Sequence, residues 1–464
     1  MLKYPVLKLK YKDMKHVELL SPAGTIRNMR YAFAFGADAV YAGQPRYSLR
    51  VRNNDFMAAN LAQGIAEARQ LGKKFYLAAN VIPHNAKLKT FINDIAPIIA
   101  MGPDALIMAD PGLIMLTREQ WPDMPVHLSV QANTVNYASV KFWQRQGVER
   151  IILSRELSLD EIEEIRQHCP DIELEVFVHG ALCIAYSGRC LLSGYFNHRD
   201  PNQGACTNSC RWKYDTVPAQ ENAEGDYVLA AQSVLSMDDL NQGMNVASCG
   251  GAERHPLADQ IYFLEEEGRK GELLPVMEDE NGTYIMNSKD LRAIEHVRRL
   301  VDIGVDSLKI EGRTKSHFYV ARTAQSYRLA IDDALAGRPF QPELLGILDN
   351  LANRGYTDGF YQRHHTHDYQ NYMTGYSKSH QQQFCGEVAA IDAENGWAEI
   401  NVKNKFAVGD KLELILPGGN RDIVVEQMQD KWGNAMQEAP GGGYEVRINI
   451  PDVDCRFGLL ARYF

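Results

Sequence analysis

One short pattern recurs four times and limits the fold more than any other feature of the sequence. A helix-like stretch runs into a glycine, an acidic residue stands two positions later, and a short apolar segment follows. It occurs as Gly36-Ala37-Asp38 before AVYAG, Gly102-Pro103-Asp104 before ALIMAD, Gly147-Val148-Glu149 before RIILSREL, and Gly304-Val305-Asp306 before SLKIEGR. Glycine accepts the left-handed backbone that closes many helices, so the pattern reads as a helix end followed directly by a strand. A chain built this way alternates helices and strands.

Eight strand candidates fit the scheme: VELLSPAG (17–24), AVYAG (39–43), KFYLAAN (74–80), DALIMAD (104–110), VHLSVQAN (126–133), RIILSREL (150–157), LEVFVHG (174–180) and DSLKIEGR (306–313). Helical patterns such as FINDIAPIIAMG and SLDEIEEIRQH separate most of them. Eight such units predict a (β/α)8 TIM-like barrel, with a doubly wound open sheet as the competing arrangement. The barrel with its additions is assigned to residues 1–337, a connector to 338–380, and a small antiparallel β-barrel domain to 381–464, where segments such as WAEINVKN and YEVRINIP alternate in polarity. A long insertion, about 181–290, parts the seventh and eighth strands and carries five of the eight cysteines. Residues 217–272 within it show turn signals without a clear element. NSKDLRAIEHVRRLVDIG is expected to resume a helix capped by Asn287 or Ser288.

Barrel enzymes work at the C-terminal ends of their strands. The residues that fall there are Ser21, Tyr41, Asn80, Asp110, Gln131, Asn133, Arg155, Glu156, His179, Glu311 and Arg313, which are polar endings for buried strands. Helix capping explains Ser21, Asp110 and Ser154 as well as function does. The catalytic candidates by position are therefore Arg313, Glu311, Gln131, Asn133, His179 and Asn80. Arg313 suits a carboxylate or phosphate, whereas Asn80, Gln131 and Asn133 offer both donors and acceptors to a base edge.

The insertion holds Cys183, Cys190, Cys206 and Cys210 in the spacing C-x6-C-x15-C-x3-C, four thiols within 28 residues. Four thiolates close a tetrahedral site for zinc or hold an iron–sulfur cluster, and the irregular spacing leans only slightly toward the cluster. Cys169, Cys249, Cys385 and Cys455 stand alone and read as buried thiols. Arg189, Arg199, Arg211 and Lys213 beside the quartet could meet phosphates or carboxylates, and the tract from His364 to Asp368 reads as a solvated loop. HExxH, G-x-S-x-G and Walker A sequences are all missing, which leaves a zincin, an α/β-hydrolase and a P-loop enzyme without motif support.

A net charge of −10 argues against a protein that coats nucleic acid non-specifically, while an RNA-modifying enzyme with one local basic surface stays open. The N-terminus lacks the apolar core of a signal peptide, and no run of about 18 apolar residues suggests a membrane span, so the expected compartment is the cytoplasm.

The stretch from Glu175 to Ser193, EVFVHGALCIAYSGRCLLS, resembles the signature of the collagenase-like peptidase family of unknown catalytic type, and ELLSPAG, GADAVYAG, HLSVQAN and SLKIEGR extend the resemblance over nearly the whole chain. YAGQPRYSLRVRNNDF, GACTNSCRW, GTYIMNSKDL and KIEGRTKSHFY are most similar to its tRNA-hydroxylating branch. That resemblance implies a [4Fe-4S] protein, with zinc as the alternative metal, held by Cys183, Cys190, Cys206 and Cys210. It further implies prephenate as co-substrate and the tRNA anticodon loop as target, with the wobble uridine converted to 5-hydroxyuridine on the way to 5-carboxymethoxyuridine. Two alternatives accompany it. One is a peptidase, using Ser193 with His179 or His198; the other is a non-catalytic iron–sulfur or zinc scaffold that binds tRNA. The C-terminal domain resembles small barrels that grip RNA, yet its own sequence is acidic, so packing on the barrel is the competing role.

Overall fold

The computed structural model describes residues 16–43, 46–48, 55–181, 289–353, 355–362, 382–392, 394–450 and 454–463, together with five strands inside the insertion. The eight expected strands are present as Glu18–Pro22, Ala39–Gly43, Lys74–Ala78, Ala105–Met108, Val126–Leu128, Arg150–Ile152, Glu173–Ala181 and Ser307–Ile310. Each pairs in parallel with the next, and the eighth pairs with both the first and the seventh, which closes the barrel. Helices Ile26–Ala34, Ala58–Gln70, Phe91–Ile99, Pro111–Gln120, Tyr137–Arg145, Leu159–His168, Val297–Ile303 and His317–Leu335 follow the strands in turn. Both faces of such a sheet are covered, which is why the strands are almost continuously buried.

The repeated glycine–acid pattern has a structural reason. Gly36, Gly102, Gly147 and Gly304 all have positive φ, from 75° to 101°. At Gly36 an added Cβ would also lie 2.6 Å from Cγ of Arg328. The aspartate that follows reaches back to the neighbouring strand: Asp38 accepts from the backbone N–H of Leu19 at 2.9 Å, Asp104 from Phe75 at 2.8 Å and Asp306 from Leu174 at 2.8 Å. Each carboxylate thus satisfies a backbone donor at the lower rim and fixes the register of two strands.

Helix starts follow side-chain chemistry. Thr25, Asp110, Asn136, Ser158 and Ser316 accept N-terminal backbone donors, and Ser158 forms a reciprocal capping box with Glu161. Asp110 is therefore a cap, whereas Ser21 is not: it is fully buried on the first strand and the helix after it is capped by Thr25. Ser154 bonds Glu156 instead of a helix terminus. The helix expected after Asn287 begins only at Val297. Asp290–Arg292 is a strand, antiparallel to the seventh barrel strand, with Asp290 opposite Ala181 and Arg292 opposite His179. Asn287 and Ser288 lie outside the described residues. Within the insertion, Tyr214–Glu221, Tyr227–Leu229, Tyr262–Glu266, Leu273–Asp279 and Gly282–Tyr284 form an antiparallel sheet that sequence patterning left unassigned.

The C-terminal part is antiparallel, as expected, a half-barrel sheet of eight strands with a separate two-stranded ribbon. It has its own core around Ile400, Phe406, Leu412 and Ile448. The helix His317–Leu335 lies between this sheet and the barrel, and fifteen of its nineteen residues are buried. From it Arg322 donates to both carboxylate oxygens of Glu413, at 3.0 and 2.8 Å, and Gln325 donates to the carbonyl of Leu416 at 2.9 Å. Phe318 stacks on Phe384.

The lower barrel interior is charged. Arg150 reaches Glu18 at 2.5 Å and Glu175 at 3.1 Å, Lys309 reaches Glu175 at 2.7 Å, and Tyr76 and Ser307 donate to Glu18 at 2.7 and 3.0 Å. Burial pushes the Glu18 carboxyl toward protonation, but the charge and hydrogen bonds of Arg150 outweigh it, so its pKa lies below the usual value. His127, against Tyr76, is held neutral because burial and then Arg150 and Lys309 oppose a further positive charge.

Two outcomes follow. Arg150→Met removes the only partner that reaches both Glu18 and Glu175 in this described network, and should cost about 3–5 kcal/mol in urea unfolding, the range for stranding a buried charge. Stability should also fall on acidification from about pH 6.5 to 4.5. The unfolded chain protonates its histidines first there, while His127 and His179 stay neutral in the fold, which gives a slope of up to about 1.4 kcal/mol per pH unit for each. His127→Leu should flatten that slope by about one proton, read from unfolding curves across the window.

Candidate active site at the barrel mouth

Above the charged interior the strand ends converge. Phe177 of the seventh strand and Tyr41 of the second form an aromatic floor: the Lys309 ammonium stands 4.4 Å from the Tyr41 ring centre and 5.4 Å from that of Phe177. The Arg155 guanidinium covers Phe177 at 3.8 Å. Burial lowers the pKa of Lys309, and Glu175 counters this. The result is a small enclosed region whose cations are already held over rings.

Arg155 has two further attachments. It donates to the carbonyl of Ala181 at 2.6 Å and to Glu311 at 3.1 Å. Glu311 is buried, its backbone N–H bonds the His179 carbonyl at 2.8 Å, and its own carbonyl accepts from Tyr319 at 2.8 Å. Arg313, two residues on, donates to Ser48 at 2.7 Å and lies 5.8 Å from the Tyr41 ring. A Cβ at Gly43 would meet its Nη1 and the Ser48 hydroxyl, so the guanidinium would have to shift from this position. Glu311 and Arg313 are therefore brought together with Arg155, Lys309 and Tyr41.

A second group lies just beyond the ends of the third and fifth strands. Asn80 donates to Gln131 at 2.5 Å and to Ser129 at 3.2 Å, and Ser129 donates to Gln131 at 2.8 Å. Asn133 has left-handed backbone (φ 52°) and donates to the Gln131 carbonyl at 3.3 Å. Asparagine tolerates this conformation because its side chain can bond locally. The three amides named from the sequence thus form one cluster.

His179 departs from the set. The pairing of the seventh and eighth strands shifts by one residue, from Lys309 opposite Phe177 to Ile310 opposite His179. Such a bulge reverses the alternation of side chains, so Phe177 meets the interior cations while His179 packs among Tyr319, Tyr327 and Tyr356. Its Nδ1 lies 3.3 Å from the Tyr327 hydroxyl, and burial, with Arg292 and Lys315 nearby, pushes its pKa down to about 3. A histidine held neutral beside an outer helix is a packing residue here.

Cys183, Cys190, Cys206, Cys210 and Cys249 lie outside the described residues, as do Ser193, His198, the neighbouring Arg189, Arg199, Arg211 and Lys213, and the tract 364–368. Cys169, Cys385 and Cys455 are buried thiols outside any disulfide, and burial raises the pKa of Cys385 to about 11. Among the described residues no group of three or more His, Cys, Asp and Glu is arranged around a metal position. What the structure does place is the root of the insertion: Ala181, two positions before Cys183, is fixed at the mouth by Arg155 and by its pairing with Asp290.

Sequence reading overlooked Lys309, Glu175, Arg150, Ser48 and Gly43. The signal for Lys309 and Glu175 was there as charge at alternate positions in SLKIEG and ELEVFV, which in a closed barrel means a charged interior.

The comparisons with known proteins agree on the lineage. Residues 24–371 match the model for peptidase family U32, and residues 380–462 match that family's C-terminal domain. The chain is 59% identical over 96% of its length to "tRNA hydroxylation protein P" of Escherichia coli, covering 97% of that protein. It is 56% identical to the protein of the same name from Haemophilus influenzae, covering 96% of each. It is also 26% identical, over 90% of each chain, to a protein of Porphyromonas gingivalis named "Collagenase". On the extent of these matches, the chain belongs to peptidase family U32.

Proposed function

We propose that this protein hydroxylates tRNA, converting the wobble uridine of the anticodon to 5-hydroxyuridine in a prephenate-dependent reaction, and that Cys183, Cys190, Cys206 and Cys210 hold a [4Fe-4S] cluster. The observation that carries the reading is the 59% identity, across almost the full length, to a protein named for tRNA hydroxylation. The chemistry of the mouth is compatible with it. Replacing a C–H bond by C–OH is a two-electron oxidation, and side chains such as Arg, Asn and Glu cannot accept those electrons. The four thiols offer a donor set that fits an iron–sulfur cluster, and the strand pairing at Ala181 roots the segment bearing them at the mouth. When bound, such a group would pass electrons one at a time; with water as the oxygen source the overall change, C–H plus water to C–OH plus two protons and two electrons, also calls for an external electron acceptor.

The chain's own residues would bind and orient. A uridine must leave its stack to present its C5 edge, and single-stranded loops provide such bases. Asn80, Gln131 and Asn133 carry amides able to pair with uracil's carbonyls and N3–H. Arg155 lies over Phe177 and Arg313 near the Tyr41 ring, where a carboxylate on a ring-shaped co-substrate would be neutralised. Glu311 holds Arg155 in place.

The peptidase reading is favoured by one observation, the name of the Porphyromonas relative. Of its proposed residues, His179 is described, neutral and packed against tyrosines, a poor general base at this position. The scaffold reading predicts that purified protein, prephenate and tRNA give no product until another fraction is added.

Nucleoside mass spectrometry of bulk tRNA tests the proposal. In a strain lacking this gene and any redundant oxygen-dependent hydroxylase, 5-hydroxyuridine derivatives should vanish, and wild type but not Cys206→Ala should restore them. Unchanged wobble nucleosides in every strain would overturn the tRNA assignment. In the same strain Arg313→Glu should leave less than about a hundredth of the modification, since one charge-assisted contact becomes a repulsion of several kcal/mol. Full modification by that variant would remove Arg313 from the site.

A further inference from the structure

The proposed reaction requires a polyanion to sit against a chain of net charge −10, so the surface that receives it must be locally poor in uncompensated acid. The C-terminal sheet is a poor candidate: residues 381–464 carry eight Lys and Arg against thirteen Asp and Glu. Its contacts with the helix His317–Leu335 already commit part of it to packing. The mouth itself offers another surface. Residues 39–54 and 71–93 contain no Asp or Glu, and they include the loops that leave the second and third barrel strands, which are neighbours in the sheet.

These loops are joined to each other and to the site. The Val81 N–H donates to the Tyr47 carbonyl at 2.9 Å, and the Lys87 ammonium donates to the Arg46 carbonyl at 3.1 Å. The Tyr47 hydroxyl bonds Asp94 at 2.6 Å, and Arg46 pairs with the same carboxylate at 2.8 Å. Ser48, the next residue, accepts from Arg313. Every residue from His84 to Lys89 is exposed, and Ile82, two positions beyond Asn80 of the amide cluster, is 66% exposed. An acid-poor rim bearing cations and an uncovered aliphatic side chain, its Asp94 carboxylate already paired with Arg46 and Tyr47, therefore borders the residues proposed to hold the base.

We infer that this rim, residues 46–48 and 81–90, is where the RNA substrate docks, with Arg46, Lys87 and Lys89 against backbone phosphates and Ile82 against an unstacked base. The inference rests on the tRNA reading above and names its contact surface. Phosphate contacts supply affinity and salt dependence, while apolar side chains support bases that leave the stack.

Binding of a fluorescent, unmodified tRNA transcript to the full-length protein, followed by anisotropy across a salt series, tests this. Lys87→Glu/Lys89→Glu should weaken binding at least about 30-fold near 0.1 M salt and make the slope of log K against log salt shallower by about 1.4–1.8, the loss of two phosphate contacts. Lys87→Ala/Lys89→Ala should lie between this variant and wild type. Lys405→Glu/Lys431→Glu, the same charge change on the C-terminal sheet, should alter binding less than about twofold. An unchanged melting temperature in each variant establishes that the fold is intact. Wild-type affinity in the rim variants, or an equal loss in the C-terminal pair, would overturn the docking surface and leave the tRNA reading standing. Failure of the wild-type protein to bind tRNA at all would overturn both.

Discussion

The ionic column inside the barrel is the constraint on which the rest depends. An eight-stranded barrel has an interior that side chains must fill, and aliphatic layers are the usual solution. Here Glu18, Arg150, Glu175 and Lys309 fill the lower part, with Tyr76 and Ser307 completing the hydrogen bonds. Buried charges contribute little net stability, and replacing such a group by apolar residues of the same volume is often neutral. What the column provides here is placement. Each member comes from a different strand, so satisfying all of them fixes the mutual height of the first, sixth, seventh and eighth strands, and Lys309 is held below the mouth between Tyr41 and Phe177.

Placement at the base carries upward through two irregularities. The shift in pairing after Lys309 turns His179 outward and ends the regular ladder, and the seventh strand then runs on to Ala181, where Asp290–Arg292 pairs with it from the far side of the insertion. Both ends of the cysteine-bearing segment thus leave the barrel from adjacent strands. Arg155 ties this stem to Glu311 and stacks on Phe177, linking the aromatic floor, an acidic candidate and the root of the insertion through one side chain. Gly180, with φ 102°, lets the stem approach the eighth strand: a Cβ there would lie 2.6 Å from the Glu311 carbonyl.

Much of this was legible in the sequence, for identifiable reasons. The glycine and aspartate of each repeat are dictated by local backbone needs, so the eight units and their order could be read from short windows. The strand endings followed from that order, and five of the six candidates, Asn80, Gln131, Asn133, Glu311 and Arg313, do lie at the mouth, the three amides in one bonded cluster, Glu311 bonded to Arg155 and Arg313 to Ser48. His179 was misplaced because alternation assumes an unbroken ladder, and a one-residue bulge depends on the partner strand. Asp290–Arg292 looked helical because DLRAIEHVRRL has helical periodicity, yet its first residues pair with a strand more than a hundred residues earlier. Non-local pairing of this kind leaves no local trace.

The helix His317–Leu335 shows how the two parts of the chain divide their roles. A helix outside a barrel normally presents one polar face to water, but this one is buried on nearly all sides, and its guanidinium Arg322 is enclosed with Glu413 and Gln382. A buried arginine is tolerable only with its partners fully arranged, so the half-barrel sheet cannot swing away without exposing or stranding that charge. The sheet is therefore fixed to the barrel through the helix that follows the eighth strand, the strand that bears Lys309 and leads to Glu311 and Arg313. An acidic domain held there repels a polyanion that would approach along it, which accords with the docking inferred at the acid-poor rim above the second and third strands, where the Asp94 carboxylate is already paired with Arg46.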